Sequence, residues 1–458
     1  MFCDGPGKIT PKEPRPGIRH EPVPFPSMNS PATRHAFAAM IVSLAASSAC
    51  SARDAHALPD GAGMRDGTSF ANALDARAAR ALLRAGGLKP GDRLLLGSGE
   101  YRGLELEIAV SGTEPQPVVI EGRDTGGGLP QLTGAWSEKN PDQGGTAIEI
   151  APGVRDVTVR GLRVSDCVTG MLAPPARGGG ARQRLVFEGI TMRRVRHGYY
   201  LSDCHALRVE DCHLARFTKH GFRLEDGCED VTLRRCTADC SEGDSGWEKL
   251  TESLPFGFFA NGSRARNTRL LFQDCVARNH MMPLQKGSYK NGDGFVIEEG
   301  STQVRFLRCR AIRNQDGGFD LKSPGVRLES CVALENSRNF RIWNAGTLEN
   351  CFTGMAPAGL WSHAGPVTVT RSTFHTLENA ASVDDDANAV ITLKDCLLSQ
   401  VRRAFPNNAG GRLILDESSI TGGDVRLKQT APAWQGDSDA MDSTSHPGKG
   451  WRWPGPRD

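Results

Sequence analysis

Leu207-Arg-Val-Glu-Asp-Cys212 is one copy of a six-residue phrase that returns as Val231-Thr-Leu-Arg-Arg-Cys236 and as Val326-Arg-Leu-Glu-Ser-Cys331. Further copies end at Cys275, Cys309, Cys351, Ser372 and Cys396. The copies recur about every 22 residues, with longer intervals before Cys275 and Cys309, and such a period is typical of solenoids. Each phrase alternates apolar and polar residues, which predicts a strand with one buried face.

A second, shorter strand precedes most of these phrases. It reads Gly221-Phe-Arg-Leu224, Gly294-Phe-Val-Ile297 and Gly318-Phe-Asp-Leu321 in three of its copies. Two or three short strands per period predict an all-β fold, a right-handed parallel β-helix. A leucine-rich repeat is the alternative, because Val231-Thr-Leu-Arg-Arg-Cys236 partly fits its strand consensus, but that fold needs a helical return path.

The chain has 13 Cys, and seven of them close a copy of the phrase. In a β-helix these residues form an inward column with a spacing of about 4.8 Å between rungs. Stacked thiols at that spacing are more often small buried side chains than disulfides. Cys204 and Cys228 fall in turns of adjacent rungs, so the sequence leaves undecided whether they form a disulfide.

The net charge of the chain is +2, which argues against a protein that coats nucleic acid.

Composition and the positions of turn-forming residues divide the chain into four parts. We assign residues 1–57 to a disordered extension and an export signal, 58–117 to an N-terminal cap region with a capping helix, 118–429 to the β-helix and 430–458 to an irregular tail. The apolar run Ala36 to Ala46 is too short to span a bilayer and resembles a secretory signal, with cleavage after Ala57. Cys50 is an alternative, lipid-anchored start. We therefore expect a secreted, periplasmic or extracellular monomer.

Charged residues gather on one predicted outer face. In the Gly-Phe-x-Leu strand Phe and Leu point inward, so the residues one and three after Phe point outward. Stacking the rungs places acidic residues beside basic ones on three consecutive rungs. The acidic residues are Asp293, Glu298, Asp316 and Asp320, and the basic ones are Lys322 and Arg341.

This grouping suggests a metal and an anionic ligand. Crowded carboxylates repel unless a cation bridges them, and hard oxygen ligands suit Ca²⁺. Arg338 and Trp343 suit an anionic sugar, and two insertions, around 241–256 and 276–292, enter just before this face and bring Lys290 to it. The alternative is that Asp320 and Arg341 form a solvated salt bridge that has no function and contributes little to stability.

Part of this face resembles a known family. Asn291-Gly-Asp-Gly-Phe295, Asp316-Gly-Gly-Phe-Asp320 and Asn339-Phe-Arg-Ile342 are similar to rungs of the pectate lyases of polysaccharide lyase family nine. The resemblance implies that Asp293, Asp316 and Asp320 bind Ca²⁺, and that position 341 holds the base. Two departures matter: Gly317 stands where the family has a fourth aspartate, and Arg341 where it has lysine. A guanidinium is effectively always protonated, so Lys322 is a second candidate base.

Three functions follow from these residues. The first is a lyase that cleaves an acidic, uronate-containing polysaccharide by calcium-assisted β-elimination, with Trp343, Arg338 and Lys290 binding substrate. The second is a non-catalytic carbohydrate-binding surface protein. The third is a glycoside hydrolase or epimerase, since Asp293 with Asp320 supplies the two carboxylates that hydrolysis needs.

Overall fold

The computed structural model describes residues 52–137, 139–140, 142–240, 255–281, 291–384, 389–405 and 411–422, together with the backbone of 434–436. The predicted export signal, the Cys50 anchor and Lys290 lie outside these residues. So do most of the predicted tail and most of the two insertions.

Strands are the main regular element of the described residues. One 3₁₀ turn (Phe70–Asn72) and one helix, α1 (Ala76–Leu82), lie near the start of the described region. The strands as far as residue 240 are β1 (Asp54–Ala57), β2 (Arg93–Leu96), β3 (Glu100–Arg102), β4 (Leu106–Ile108), β5 (Val118–Gly122), β6 (Gln131–Thr133), β7 (Thr146–Ile150), β8 (Arg155–Arg160), β9 (Arg163–Ala173), β10 (Arg182–Glu188), β11 (Thr191–Ser202), β12 (Cys204–His205), β13 (Arg208–Glu210), β14 (His213–Glu225), β15 (Glu229–Arg234) and β16 (Thr237–Asp239). The strands after residue 240 are β17 (Phe256–Asn261), β18 (Asn267–Gln273), β19 (Val276–Arg278), β20 (Phe295–Ile297), β21 (Ser301–Thr302), β22 (Arg305–Leu307), β23 (Arg310–Ile312), β24 (Gly317–Leu321), β25 (Val326–Glu329), β26 (Val332–Leu334), β27 (Arg338–Ile342), β28 (Gly346–Glu349), β29 (Phe352–Ser362), β30 (Val367–Thr370), β31 (Thr373–Val383), β32 (Val390–Lys394), β33 (Leu397–Arg403), β34 (Arg412–Asp416), β35 (Ser418–Thr421) and β36 (Trp434–Gly436).

Successive rungs pair in parallel and in register. The six-residue phrases form one sheet, in which β15, β18, β22, β25, β28, β30, β32 and β34 follow one another in chain order. The Gly-Phe strands form a second series, in which β14, β17, β20, β24, β27 and β29 pair in turn. Between residues 118 and 422 the described residues contain no helix. The parallel β-helix is therefore confirmed, and the leucine-rich repeat is wrong.

Stacked aromatic rings fill the interior beneath the second series. Six of them lie on consecutive rungs with ring centroids 4.7–5.1 Å apart: Tyr199, Phe222, Phe258, Phe295, Phe319 and Phe340. The glycine before the Phe is required by close approach, because a Cβ at Gly257 would lie 2.6 Å from the Gly294 carbonyl oxygen. The glycine of the Gly-Phe-x-Leu pattern is thus required by the close spacing between successive rungs.

The phrase-ending cysteines form the predicted inward column. Their thiols donate to carbonyl oxygens of the preceding rung, as Cys236 does to Val209 at 3.3 Å and Cys309 to Phe272 at 3.3 Å. Burial raises the pKa of these two thiols well above its ordinary value, so they stay protonated donors. All cysteines within the described residues are free, including Cys204 and Cys228. The structure therefore contains no disulfide between those two.

The N-terminal region contributes strands as well as a helix. β1 pairs with β2, and β2 with β5, so the first sheet begins at Asp54, upstream of residue 118. Cleavage after Ala57 would remove β1. Asp75 is the N-cap residue of helix α1, and its side chain accepts a hydrogen bond from the Ala78 backbone N–H. That α1 caps the end of the β-helix stays a prediction. Among the described residues no helix is long and apolar enough to cross a bilayer.

Candidate functional site

Strand register brings the charged residues into one column on the second series. Val296 of β20 pairs with Asp320 of β24, Asp320 with Arg341 of β27, and Arg341 with Trp361 of β29. This is the order that the alternation predicts. Asp320 is only 5% exposed, however, because Arg341 and Trp343 contact its carboxylate. The column is therefore a partly covered cleft rather than a solvated face.

Asp293 is the most deeply buried carboxyl group of the cleft, at 3% exposure. Its Oδ1 accepts a hydrogen bond from the Gly317 backbone N–H at 2.5 Å. Burial, and then the nearby charges of Asp320 and Asp316, raise the pKa of Asp293 well above its ordinary value. Asp293 is therefore a group that holds a proton where ordinary aspartates have lost it.

Arg341 lies between the other two carboxylates. Its Nη1 lies 3.5 Å from Asp316 Oδ2 and 3.4 Å from Asp320 Oδ2, distances at the long limit of hydrogen bonding. The Arg341 Nε atom is buried and has no partner among the described residues. Asp316 also accepts a hydrogen bond from Arg338 Nη1 at 3.0 Å. The Arg341 guanidinium is thus held by long contacts, and its unpaired Nε is not exposed to solvent.

Asp320 combines the acidic and aromatic parts of the cleft. Its Oδ1 accepts a hydrogen bond from Trp343 Nε1 at 2.5 Å. Burial raises the pKa of Asp320, although the charge of Arg341 and the Trp343 hydrogen bond oppose the rise. Because Asp293 and Asp320 repel each other when both are ionised, the two carboxyl groups favour sharing one proton.

Tryptophan rings and a lysine complete the lining. The Arg341 guanidinium carbon lies 4.7 Å from the Trp343 ring centroid and 5.3 Å from that of Trp361. Lys322 Nζ donates to both oxygens of Glu298 at 2.7 Å. These groups surround a cavity of about 310 Å³. The cavity is lined by Phe256, Asn291, Asp293, Val296, Glu298, Asp316, Asp320, Lys322, Arg341 and Trp343.

A buried amide ladder fixes the turns that carry these residues. Asn314 Nδ2 donates to Asn336 Oδ1 at 2.8 Å, Asn336 Nδ2 donates to Asn339 Oδ1 at 2.8 Å, and Asn339 Nδ2 donates to Thr353 Oγ1 at 2.9 Å. Asn314 and Asn336 each stand two residues before a charged residue of the cleft, Asp316 and Arg338 respectively. Sequence reasoning missed this ladder, and the signal for it was the recurrence of Asn just before the Gly-Phe strand.

Calcium fits this donor set poorly as the side chains lie. Asp316 and Asp320 face Arg341, Asp320 also accepts from Trp343, and an added Cβ at Gly317 would lie 2.8 Å from Asp293 Oδ1. Within the described ranges, no group of three or more His, Cys, Asp or Glu side chains is arranged to hold a metal ion. Asp293, Asp316 and Asp320 stay predicted calcium ligands from the resemblance, and Glu298 stays the predicted replacement for the fourth aspartate that Gly317 lacks.

A larger groove of about 730 Å³ lies along the first half of β11 and β14. Its lining is basic, with Arg163, Arg193 and Arg278 among its residues. Asp239 is the one carboxylate among the described residues of that lining, and Arg278 Nε donates to it at 2.6 Å. The described residues of the groove therefore offer no pair of carboxyl groups for acid and base catalysis, and the smaller cleft is the candidate site.

No protein-family model matches the chain, and no curated protein does either. Among solved structures, the chain is similar to the pectate lyase Pel9A, with 15% identity, a TM-score of 0.36, and coverage of 83% of this chain and 78% of that one. A mannuronic-acid-specific family 6 polysaccharide lyase from human gut microbiota matches with 10% identity, a TM-score of 0.47, and coverage of 82% and 83%. A family 136 lacto-N-biosidase from Eubacterium ramulus matches with 13% identity, a TM-score of 0.36, and coverage of 84% and 67%. These neighbours are polysaccharide lyases and a glycoside hydrolase, and they assign no activity to this chain.

Proposed function

We propose that the chain is a polysaccharide lyase that cleaves a uronate-containing polysaccharide by β-elimination. One observation carries the proposal: a guanidinium held by long contacts to two carboxylates, Arg341, lies beside a buried carboxyl pair, Asp293 and Asp320, whose pKa values are both raised. An anionic sugar needs the first feature, and proton transfer needs the second. Trp343 and Trp361 offer ring faces on which a pyranose can stack.

The proposed reaction breaks the bond between C4 and the glycosidic oxygen. Arg341 donates hydrogen bonds to the uronate carboxylate, which makes the C5 proton more acidic. A base removes that proton, the electron pair forms the C4–C5 double bond, and an acid protonates the departing oxygen. A raised pKa makes ionised Asp320 a stronger base than an ordinary aspartate, and it keeps Asp293 protonated as the acid.

The residues first considered as bases are better suited to charge neutralisation. Arg341 cannot lose its proton in a protein. Lys322 donates to both oxygens of Glu298, and as an ammonium it has no electron pair with which to accept a proton. We therefore propose that Arg341 and Lys322 bind the substrate carboxylates and that the aspartates transfer protons. Export of the chain belongs to the same proposal. Calcium assistance stays a prediction from the resemblance, and these proton transfers do not need it.

The test is incubation of the purified protein with polygalacturonate, alginate and other uronans. Elimination produces a conjugated double bond whose ultraviolet absorbance rises with time. Arg341→Gln should abolish the rise, whereas Arg371→Gln should not, because Arg371 is exposed on the other sheet and pairs with Glu349. Absence of absorbance on every uronan refutes the lyase.

Hydrolysis is a second candidate because of the same carboxyl pair. A protonated Asp293 beside an ionised Asp320 supplies the acid and the second carboxylate that glycoside hydrolases use. New reducing ends without ultraviolet absorbance would assign this reaction instead. Retention of a glycan with neither product would assign the non-catalytic binding protein.

A further inference from the structure

The second series carries another arginine between two aromatic rings. Register places Tyr200 beside Arg223, and Arg223 beside Phe259, in the column that continues through Val296 to Asp320. The Arg223 guanidinium carbon lies 4.4 Å from the Tyr200 ring centroid and 5.2 Å from that of Phe259. This tyrosine–arginine–phenylalanine cluster lies four rungs from Arg341.

The contacts of Arg223 leave one edge of its guanidinium uncommitted. Its Nε donates to Glu225 Oε2 at 2.5 Å, and Glu225 Oε1 accepts a hydrogen bond from Asn261 Nδ2 at 2.9 Å. The two terminal nitrogens of Arg223 have no hydrogen-bond partner among the described residues, and they are not among the buried atoms that lack one. Glu225 thus orients the guanidinium through Nε and leaves the forked edge that binds carboxylates.

Arg223 and Arg341 share four features. Each is held between two aromatic rings, each contacts a carboxylate, each belongs to the same column, and their side chains are 18% and 19% exposed. A solvated surface arginine has no need of an oriented carboxylate and two ring faces. The repetition of this arrangement indicates that both arginines bind the same kind of group.

We propose that Tyr200, Arg223 and Phe259 form a distal subsite that binds a uronate unit of the same polysaccharide chain. This inference rests on the proposed function, since it assigns the polymer a path parallel to the column. Four rung spacings separate Arg223 from Arg341, which gives about 19 Å at about 4.8 Å per rung. That distance corresponds to several linked pyranose rings, so only longer substrates reach both arginines.

The test compares a long uronan with its trisaccharide, using Arg223→Met, which keeps the side-chain stem and removes the guanidinium. KM for the polymer should rise about tenfold, the loss of one charge-assisted contact, whereas kcat/KM for the trisaccharide bound at Arg341 should stay unchanged. Arg223→Lys should recover part of the loss. Arg235→Met removes a charge from the other sheet, where Arg235 pairs with Asp211. This control should leave KM for the polymer and kcat/KM for the trisaccharide unchanged.

Two outcomes overturn the subsite while leaving the lyase intact. Equal KM values for wild type and Arg223→Met on the polymer mean that Arg223 does not bind it. Equal losses on polymer and trisaccharide mean that Arg223 only supports the fold. If the wild type eliminates no uronan, the proposed function fails separately, and calorimetric titration with tri- and octa-uronides decides the subsite. Tighter binding of the longer oligomer that Arg223→Met abolishes supports it, and length-independent or absent binding refutes it.

Discussion

Stability below neutral pH should depend on one buried imidazole, that of His280. The residue is 0% exposed and packs against Phe217 with ring centroids 5.4 Å apart. Burial lowers the pKa of His280 from 6.5 to about 4, although Asn314 and the charge of Asp239 partly oppose the shift. This difference corresponds to about 3 kcal/mol, at 1.36 kcal/mol for each pKa unit.

The direction follows from which state binds the proton. Above pH 6.5 the imidazole is neutral in the folded and unfolded chain, and its contribution to stability is fully present. Between pH 6.5 and about 4 the unfolded chain takes up the proton and the folded chain does not, so stability falls as pH falls. Below about pH 4 both states are protonated and the loss levels off.

The assay is urea denaturation of wild type and His280→Gln at neutral pH and at pH 4. Other groups titrate in both proteins and cancel in the difference. We expect the stability advantage of wild type over the variant to shrink by about 3 kcal/mol between the two pH values. His213→Gln, at an exposed position, should show no such change. Parallel pH profiles for wild type and His280→Gln would refute the assignment of a buried neutral imidazole.

Three further predictions concern the cleft and the core beneath it. Asp293→Asn should lower the elimination rate by about a hundredfold or more, the usual contribution of a general acid. Burial raises the pKa of Asp293, so its stabilising contribution is lost as pH rises through that pKa. The free energy of unfolding of the variant, measured by urea denaturation, should therefore fall less toward higher pH. An unchanged elimination rate contradicts the role of Asp293 as general acid. Phe319→Ala should cost about 3–5 kcal/mol of unfolding free energy and Phe319→Leu far less, and equal losses would contradict the ring-stacking argument. Chelation with EDTA should leave the initial rate unchanged, because Arg341 already faces Asp316 and Asp320, whereas a loss that added Ca²⁺ reverses would show that the metal is required.

The fold was predictable because a solenoid repeats its constraints. Each Cys-ending phrase and each Gly-Phe pair must satisfy the same rung spacing, so the period is visible without an alignment. The same repetition predicted the column Val296, Asp320 and Arg341, since register follows from stacking identical strands.

The contents of the cleft were less accessible to sequence reasoning. The alternation of apolar and polar residues predicts the direction of a side chain but not which residues pack over it. It therefore predicted that Asp320 is exposed to solvent, although Trp343 and Arg341 bury it. The hydrogen bond from Gly317 to Asp293 depends on backbone geometry that residue types do not record. Lys290 and most residues of the two insertions lie outside the described residues, and their roles stay predictions.

In-register stacking of the rungs fixes the distance between the two arginines of the column. The separation between Arg223 and Arg341 is a whole number of rungs, and it does not depend on loop lengths, which change only the outer contour. Duplicating one rung between them would lengthen the separation by a single step of about 4.8 Å and leave both arginine environments intact. A relative of this chain that differs by one such rung should therefore prefer a polymer of correspondingly different minimum length, with no change in either arginine.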